Sequence, residues 1–184
     1  MKEVNPEPLD GIVEIDETYV GLREHGKGTQ GRAAKKKEIV IGIKQRGGDL
    51  RFFHAEDMKS GTLAKFIKEN VSPTVEVVMT DDWNSSPRAT MAGGVHGTKH
   101  KTVNHTSSVY VNGDFTTNGI ESAFSLLKRG IVGSWHKVSA KHLSAYLDEM
   151  TFRFNNRSNP YLFRDTLMKL IEAPVLEYKK LTAA

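Results

Sequence analysis

The chain contains no cysteine, and its longest apolar runs are far shorter than a membrane-spanning helix. The absence of cysteine excludes disulfides and thiolate zinc sites. Runs such as residues 75–79 have the length of a strand, whereas a transmembrane helix needs about 20 apolar residues. The N-terminus also lacks the apolar core of a secretory signal. We therefore expect a protein of the cytoplasm with no membrane partner.

Acidic residues are scarce between Arg23 and Arg46, where eight Lys and Arg residues accompany only two acids. The whole chain has a net charge of +4 and a pI of about 9.2, which suits a polyanionic partner such as nucleic acid. Residues 26–37 are rich in glycine and lack periodicity, which predicts a loop. We expect Lys35, Lys36 and Lys37 of this loop to contact DNA phosphates.

Strand and helix patterns follow one another in an order typical of a single α/β domain. Strands are predicted at 11–21, 38–45, 49–55, 75–79 and 101–104, and helices at 60–70, 118–129, 140–154 and 161–171, with a short helix after residue 82. Gly47 and Gly48 favour a tight hairpin turn between the second and third strands, and Ser60 is predicted to cap the first helix. The order implies a mixed sheet whose fourth strand returns through a helical crossover.

Three acids stand where these predicted elements end or begin. Asp16 is predicted at the end of the first strand, Asp81 just after the fourth, and Glu121 in the first turn of the helix at 118–129. The first and fourth strands can be neighbours in such a sheet, and the helix can lie across it. Carboxylates that converge in this way can hold Mg²⁺ ions, which catalyse phosphodiester cleavage.

Each acid also has a simpler interpretation. Asp16 fits a solvated loop residue, Asp81 fits a helix cap, and Glu121 with Asn118 fits an arrangement like a capping box. Glu14 is the strongest alternative ligand, because alternation puts it on the same strand face as Asp16. Glu17 and Asp82 are further alternative ligands. Zinc binding by His96, His100 and His105 is disfavoured, because no cysteine and no suitable spacing accompany them.

Several motifs carry a resemblance to a known family. They are Asp16-Glu17-Thr18-Tyr19-Val20-Gly21, Thr80-Asp81-Asp82-Trp83, Thr102-Val103-Asn104-His105, Asn118-Gly119-Ile120-Glu121 and Leu126-Leu127-Lys128-Arg129-Gly130. In combination, and with the tail from Lys141 to Asn155, they closely resemble the ISXO2-like transposases of the IS1595 group of insertion sequences. The resemblance covers roughly residues 9–157.

The resemblance implies the catalytic domain of a DDE transposase with an RNase H-like α/β fold, a mixed five-stranded sheet flanked by helices and followed by C-terminal helices. We expect this domain at 1–158 and a helical extension at 159–184. The resemblance implies that Asp16, Asp81 and Glu121 bind two Mg²⁺ or Mn²⁺ ions.

The same resemblance implies DNA as the partner, both transposon ends and target, and a homodimer or larger synaptic assembly acting at the nucleoid. It assigns Lys128 a contact with DNA near the cut. Spacing supports this assignment independently, because seven residues are about two helical turns and place Lys128 on the face of Glu121. Further candidates for DNA contact are Arg129, Asn104, His105 and Asn118.

Two departures from the family pattern keep other interpretations open. Relatives often have histidine and tryptophan where this chain has Thr116 and Phe124. Full-length relatives usually carry a zinc ribbon and a helix-turn-helix before the domain, whereas this chain begins almost at the first strand. The alternatives are an inactive or domesticated DNA-binding remnant, and an RNase H-like nuclease that cleaves without strand transfer.

Overall fold

The computed structural model describes residues 6–21, 37–81, 90, 92–95, 99–103, 117–136, 138–175 and 177–178. The strands are β1 (Ile12–Val20), β2 (Glu38–Gln45), β3 (Leu50–Ala55), β4 (Val77–Asp81) and β5 (His100–Val103). The helices are α1 (Ser60–Asn70), α2 (Asn118–Gly130), α3 (Ala140–Asn155) and α4 (Leu162–Glu172). A π-helical turn, Ile131–Trp135, continues α2 and was not predicted from the sequence.

The five strands form one mixed sheet in the order β3-β2-β1-β4-β5. Strand β1 is central, antiparallel to β2 and parallel to β4, and β5 is parallel to β4. The chain passes from β3 to β4 through α1. The predicted α/β architecture, with a five-stranded mixed sheet and flanking helices, is therefore confirmed.

Each face of the sheet carries its own apolar core, because successive side chains of a strand point to opposite faces. On one face, α1 packs against the sheet through Leu63 and Ile67, which join a cluster that includes Ile15 and Ile41. On the other face, α2 and α3 pack on residues such as Phe52. The ring of Phe52 stacks on Phe124 of α2 with centroids 5.5 Å apart. Helices α2 and α3 thus share the face on which Glu14 and Asp16 lie.

Helix α3 covers the outer edge of β3, which is an edge strand of the sheet. The side-chain amide of Asn155 accepts the Leu50 N–H at 2.8 Å and donates to the Leu50 carbonyl at 3.0 Å. The hydroxyl of Thr151 accepts the Phe52 N–H at 3.3 Å. Unpaired edge groups favour strand addition from other chains, so these side chains protect the sheet as well as fixing α3.

The predicted helix caps were wrong. Ser60 is the first helical residue of α1, and Lys59 before it makes no side-chain cap hydrogen bond. Asp57 instead accepts the Lys59 N–H at 3.1 Å and the Thr62 hydroxyl at 2.6 Å. Asn118 is likewise the first residue of α2 and not its cap. A capping residue must have non-helical backbone angles, which sequence spacing alone does not reveal.

Strand β4 begins and ends two residues later than predicted. Its pairing with β1 starts at Val77, opposite Ile12, and its pairing with β5 reaches Asp81, opposite Val103. Val75 is fully buried but lies before the strand. Partner strands therefore set these limits, and Asp81 is the last residue of β4 instead of lying just after the strand.

Helix α4 lies at the surface and contains no fully buried side chain. Phe163 is 82% exposed and Ile171 is 69% exposed. In the described part of the chain, α4 and the other helices are all too short or too polar to span a bilayer.

Candidate active site

Asp16 and Asp81 lie at corresponding places on adjacent parallel strands. The register between β1 and β4 ends with Ile15 opposite Thr80, so these two acids are the next residues along each strand. Neighbouring strands are about 4.8 Å apart. Asp16 is not at the end of β1 as predicted, because β1 continues to Val20 alongside β2 alone. It lies where β1 loses contact with β4.

An open cleft forms at this point of the sheet. It measures about 270 Å³ when the solvent at its mouth is included. It is lined by Ile15, Asp16, Glu17, Ile41, Met58, Leu63, Thr80 and Asp81. Asp16 and Asp81 therefore border this cleft, whose apolar wall lies on the α1 side of the sheet, while alternation along β1 directs the Asp16 side chain to the face that α2 covers.

The environment of Asp16 strongly favours its protonated form. Burial of the carboxyl group is the main cause, and it raises the pKa of Asp16 from 3.8 to about 7. The negative charges of Glu17, Asp81 and Glu121 add to the increase, against a lowering effect of the 2.8 Å hydrogen bond from the Glu17 N–H. All three predicted acids therefore interact electrostatically, in an environment that a cation would stabilise.

Helix α2 approaches the sheet closely because Gly42 has no side chain. Gly42 pairs with Asp16 across β1 and β2. A methyl group at Gly42 would lie 2.6 Å from Cδ1 of Ile120 and 2.8 Å from Cζ of Phe124, well inside ordinary carbon contact distances of about 3.5–4.0 Å. The close approach brings the first turn of α2, with Glu121, over the strand that carries Asp16.

Glu121 is the least enclosed of the three acids. Its side chain is exposed, and its Oε1 accepts a hydrogen bond from the Thr117 hydroxyl at 3.2 Å. Across the described ranges, no three acidic or histidine side chains form a group that could hold a metal ion as they stand.

Glu14 does not line the cleft, although it was the strongest alternative ligand. It is only 2% exposed, and its Oε2 accepts the Ile120 N–H at 2.8 Å. Its Oε1 accepts hydrogen bonds from Nε and Nη2 of Arg46 at 3.3 and 3.2 Å. Sequence reasoning missed this structural function of Glu14 and Arg46. The available signal was an acid between the apolar residues Val13 and Ile15 of a central strand, since a buried acid requires partners.

The predicted DNA-contact residues are only partly described. Lys128 and Arg129 are both exposed in the last turn of α2, seven and eight residues after Glu121. Asn118 is exposed at the first position of the same helix, and Lys37 is partly buried just before β2. Outside the described residues lie Lys35, Lys36, Asn104 and His105.

His100 lies beside β4, where its ring contributes to the fold. Its Nε2 is 2.8 Å from the hydroxyl of Thr80, and burial lowers the pKa of the imidazole. Thr80 is opposite Ile15 in the sheet register, so this contact is on the face away from α2. The other two histidines considered for zinc, His96 and His105, lie outside the described residues.

Comparison with known proteins gives one family match. The family model described as "ISXO2-like transposase domain" matches residues 8–155. No curated protein matches the chain. Among matching solved structures is a chain of the simian T-cell lymphotropic virus intasome in complex with PP2A regulatory subunit B56 gamma. It is 13% identical with a TM-score of 0.46, and the match covers 76% of this chain and 48% of that one.

Proposed function

Because the chain belongs to the family of ISXO2-like transposase domains, we propose that it cleaves DNA at the ends of an insertion sequence and joins them to target DNA. The observation that carries this proposal is the electrostatic coupling of Asp16 to Asp81 and Glu121, together with the raised pKa of Asp16, about 7. Carboxylates that destabilise one another in an open cleft are typical of a divalent cation site.

The donor set fits Mg²⁺ or Mn²⁺. All three candidate ligands offer carboxylate oxygens, which hard divalent cations prefer. In this proposal Asp16, Asp81 and Glu121 would hold the ions, and Glu121 would leave its hydrogen bond with Thr117 to do so. When bound, such ions activate the attacking oxygen and stabilise the leaving oxygen of a phosphodiester.

The protein's own groups would hold and orient the DNA. Lys128 is exposed on α2, seven residues beyond Glu121, so both side chains project from the same side of the helix. An ammonium group there would bind a phosphate next to the scissile bond. Arg129 and Asn118 extend this surface along α2. The basic segment with Lys35, Lys36 and Lys37 and the motif with Asn104 and His105 are proposed to contact the same DNA.

The activity is tested with a labelled duplex that carries a transposon end. We expect nicking that requires Mg²⁺ or Mn²⁺ and that is lost in the double variant Asp16→Asn/Asp81→Asn. The control Asp49→Asn makes one of these Asp→Asn changes at an exposed turn position outside the cleft. Full nicking by the double variant would contradict the proposal.

A nuclease that cleaves without strand transfer would use the same ligands, because water and a 3′-hydroxyl attack the same activated phosphate. Precut transposon ends separate the two activities. Joining of these ends to a target plasmid supports a transposase, and nicking without joining supports the nuclease. Light scattering measures the mass of the protein–DNA complex. A mass that corresponds to two transposon ends in one complex would support the proposed homodimer or synaptic assembly. We expect the protein to act in the cytoplasm, at the nucleoid DNA.

A further inference from the structure

A buried carboxylate lies directly beneath the start of α2. Glu14 precedes Asp16 by two residues on β1 and faces the same side of the sheet. Its Oε2 accepts the Ile120 N–H at 2.8 Å. Ile120 immediately precedes Glu121, so this hydrogen bond holds the peptide unit from which a candidate ligand projects.

The hydrogen bond to the first turn of α2 comes from a side chain on the distant strand β1, not from a residue next to the helix. The residue before the helix, Thr117, makes no side-chain cap hydrogen bond to the first turn. A carboxylate at that point satisfies an N–H that lacks a helical partner and interacts favourably with the helix dipole. Gly119 permits the approach, since a Cβ there would lie only 2.6 Å from Oε2 of Glu14.

Arg46 extends the contact to the neighbouring strands. Its guanidinium group donates to Oε1 of Glu14 through Nε and Nη2, at 3.3 and 3.2 Å. Nη2 also lies 3.5 Å from the sulfur of Met79 on β4. The backbone N–H of Arg46 donates to the Ile12 carbonyl at 2.8 Å. One side-chain pair, Glu14 with Arg46, therefore contacts β1, β4 and α2.

These contacts fall next to all three candidate ligands. Glu14 is two residues before Asp16, Met79 is two residues before Asp81, and Ile120 is one residue before Glu121. We propose that the pair of Glu14 and Arg46 is a clamp that fixes the spacing of the three acids. Glu14 is then a positioning residue that does not bind the ions itself. This inference rests on the proposed function of Asp16, Asp81 and Glu121.

The test compares Glu14→Ala, Glu14→Gln and wild type with a matched control, Asn155→Ala. The control also removes buried hydrogen bonds, but at β3, away from the clamp. Mn²⁺ affinity is measured by calorimetry at a temperature where all four proteins are folded. Hydrogen exchange of the Ile120 amide reports directly on the hydrogen bond to Glu14.

We expect Glu14→Ala to weaken Mn²⁺ binding by roughly tenfold to a hundredfold, the usual effect of removing groups that orient metal ligands. The nicking rate constant should fall by a similar factor, with DNA affinity changed less than about twofold, because the DNA-contacting side chains remain. Exchange at Ile120 should accelerate. Glu14→Gln retains an oxygen acceptor for the Ile120 N–H, so it should lose less Mn²⁺ affinity than the alanine variant. Asn155→Ala should retain wild-type Mn²⁺ affinity.

Unchanged Mn²⁺ affinity in Glu14→Ala would overturn the clamp, as would an equal loss of affinity in Asn155→Ala. A wild-type protein that binds no Mn²⁺ would instead overturn the proposed function. In that case, hydrogen exchange at the Ile120 amide still tests whether Glu14 holds the start of α2. Faster exchange in Glu14→Ala supports it, and unchanged exchange refutes it.

Discussion

Replacing Asp16 with asparagine should stabilise the metal-free protein at high pH. The pKa of Asp16 rises from 3.8 to about 7 on folding, chiefly through burial. A carboxyl group with a raised folded-state pKa favours folding below its unfolded pKa, and this contribution is lost as the pH rises through the folded pKa. The wild type should therefore lose stability between about pH 4 and pH 7.5 because of this residue.

The size of the effect follows from the same shift. The difference between 3.8 and about 7 is about 3 pKa units, and each unit corresponds to about 1.4 kcal/mol. The free energy of unfolding thus decreases by at most about 4 kcal/mol over this range. Asparagine is neutral at every pH, and its side-chain oxygen can accept a hydrogen bond from the Glu17 N–H. Asp16→Asn should therefore avoid most of this decrease in the free energy of unfolding.

Urea unfolding in EDTA at pH 4.5 and pH 8 measures this difference. We expect Asp16→Asn and wild type to be similar at pH 4.5, and the variant to be more stable at pH 8. Asp49→Asn, at an exposed turn, should change the free energy of unfolding by less than about 0.5 kcal/mol at either pH. If the stability difference between Asp16→Asn and wild type does not change with pH, the argument from burial and neighbouring charge is wrong.

Divalent ions should narrow the difference in stability between the wild type and Asp16→Asn at pH 8. Mn²⁺ at 100 times its dissociation constant should raise the free energy of unfolding of the wild type by about 2.7 kcal/mol, with little effect on Asp16→Asn. Because a proton competes for Asp16, wild-type Mn²⁺ affinity should fall by up to about tenfold for each pH unit below 7. Calorimetric titration at pH 6, 7 and 8 checks this dependence, and a flat profile would argue against Asp16 as a ligand.

Three further substitutions test the packing and the DNA surface. Gly42→Ala should destabilise the fold by about 1–3 kcal/mol in urea unfolding, since the added carbon would lie 2.6 Å from Ile120. Gly61→Ala, in a helix and with nothing within 4 Å, is its control and should be neutral or stabilising. Asn155→Ala should cost about 1–3 kcal/mol in the same assay through unsatisfied backbone groups of β3, and a neutral result would contradict that role. Lys128→Ala should weaken DNA binding and reduce the slope of log affinity against log salt by about 1, as measured by fluorescence anisotropy; an unchanged slope would exclude a phosphate contact.

The neighbouring positions of the first and fourth strands and the shared face of Glu14 and Asp16 could be predicted, whereas the exact limits of β4 could not. Alternation placed Glu14 and Asp16 on one face of the first strand, and the neighbouring positions of the first and fourth strands are confirmed by their parallel pairing. The limits of β4 depend on hydrogen bonds to β1 and β5. The roles of Asp16, Asp81 and Glu121 as ligands stay predictions.

One prediction that failed concerns groups distant in sequence. A capping arrangement of Asn118 with Glu121 was plausible from spacing, but the first-turn N–H of Ile120 is bonded to Glu14, 106 residues away. Local sequence contains no information about which distant carboxylate will reach a helix end.

The sequence by itself determined the kinds of elements and their order, since hydrophobic periodicity and turn residues act over a few neighbouring positions. It also carried the motifs by which the family is recognised. Only the tertiary structure decided that Glu14 supports α2 instead of facing the cleft, and that burial beside three other acids raises the pKa of Asp16 to about 7. Both effects depend on distance and solvent exclusion between elements, which arise only when the sheet and helices have packed together.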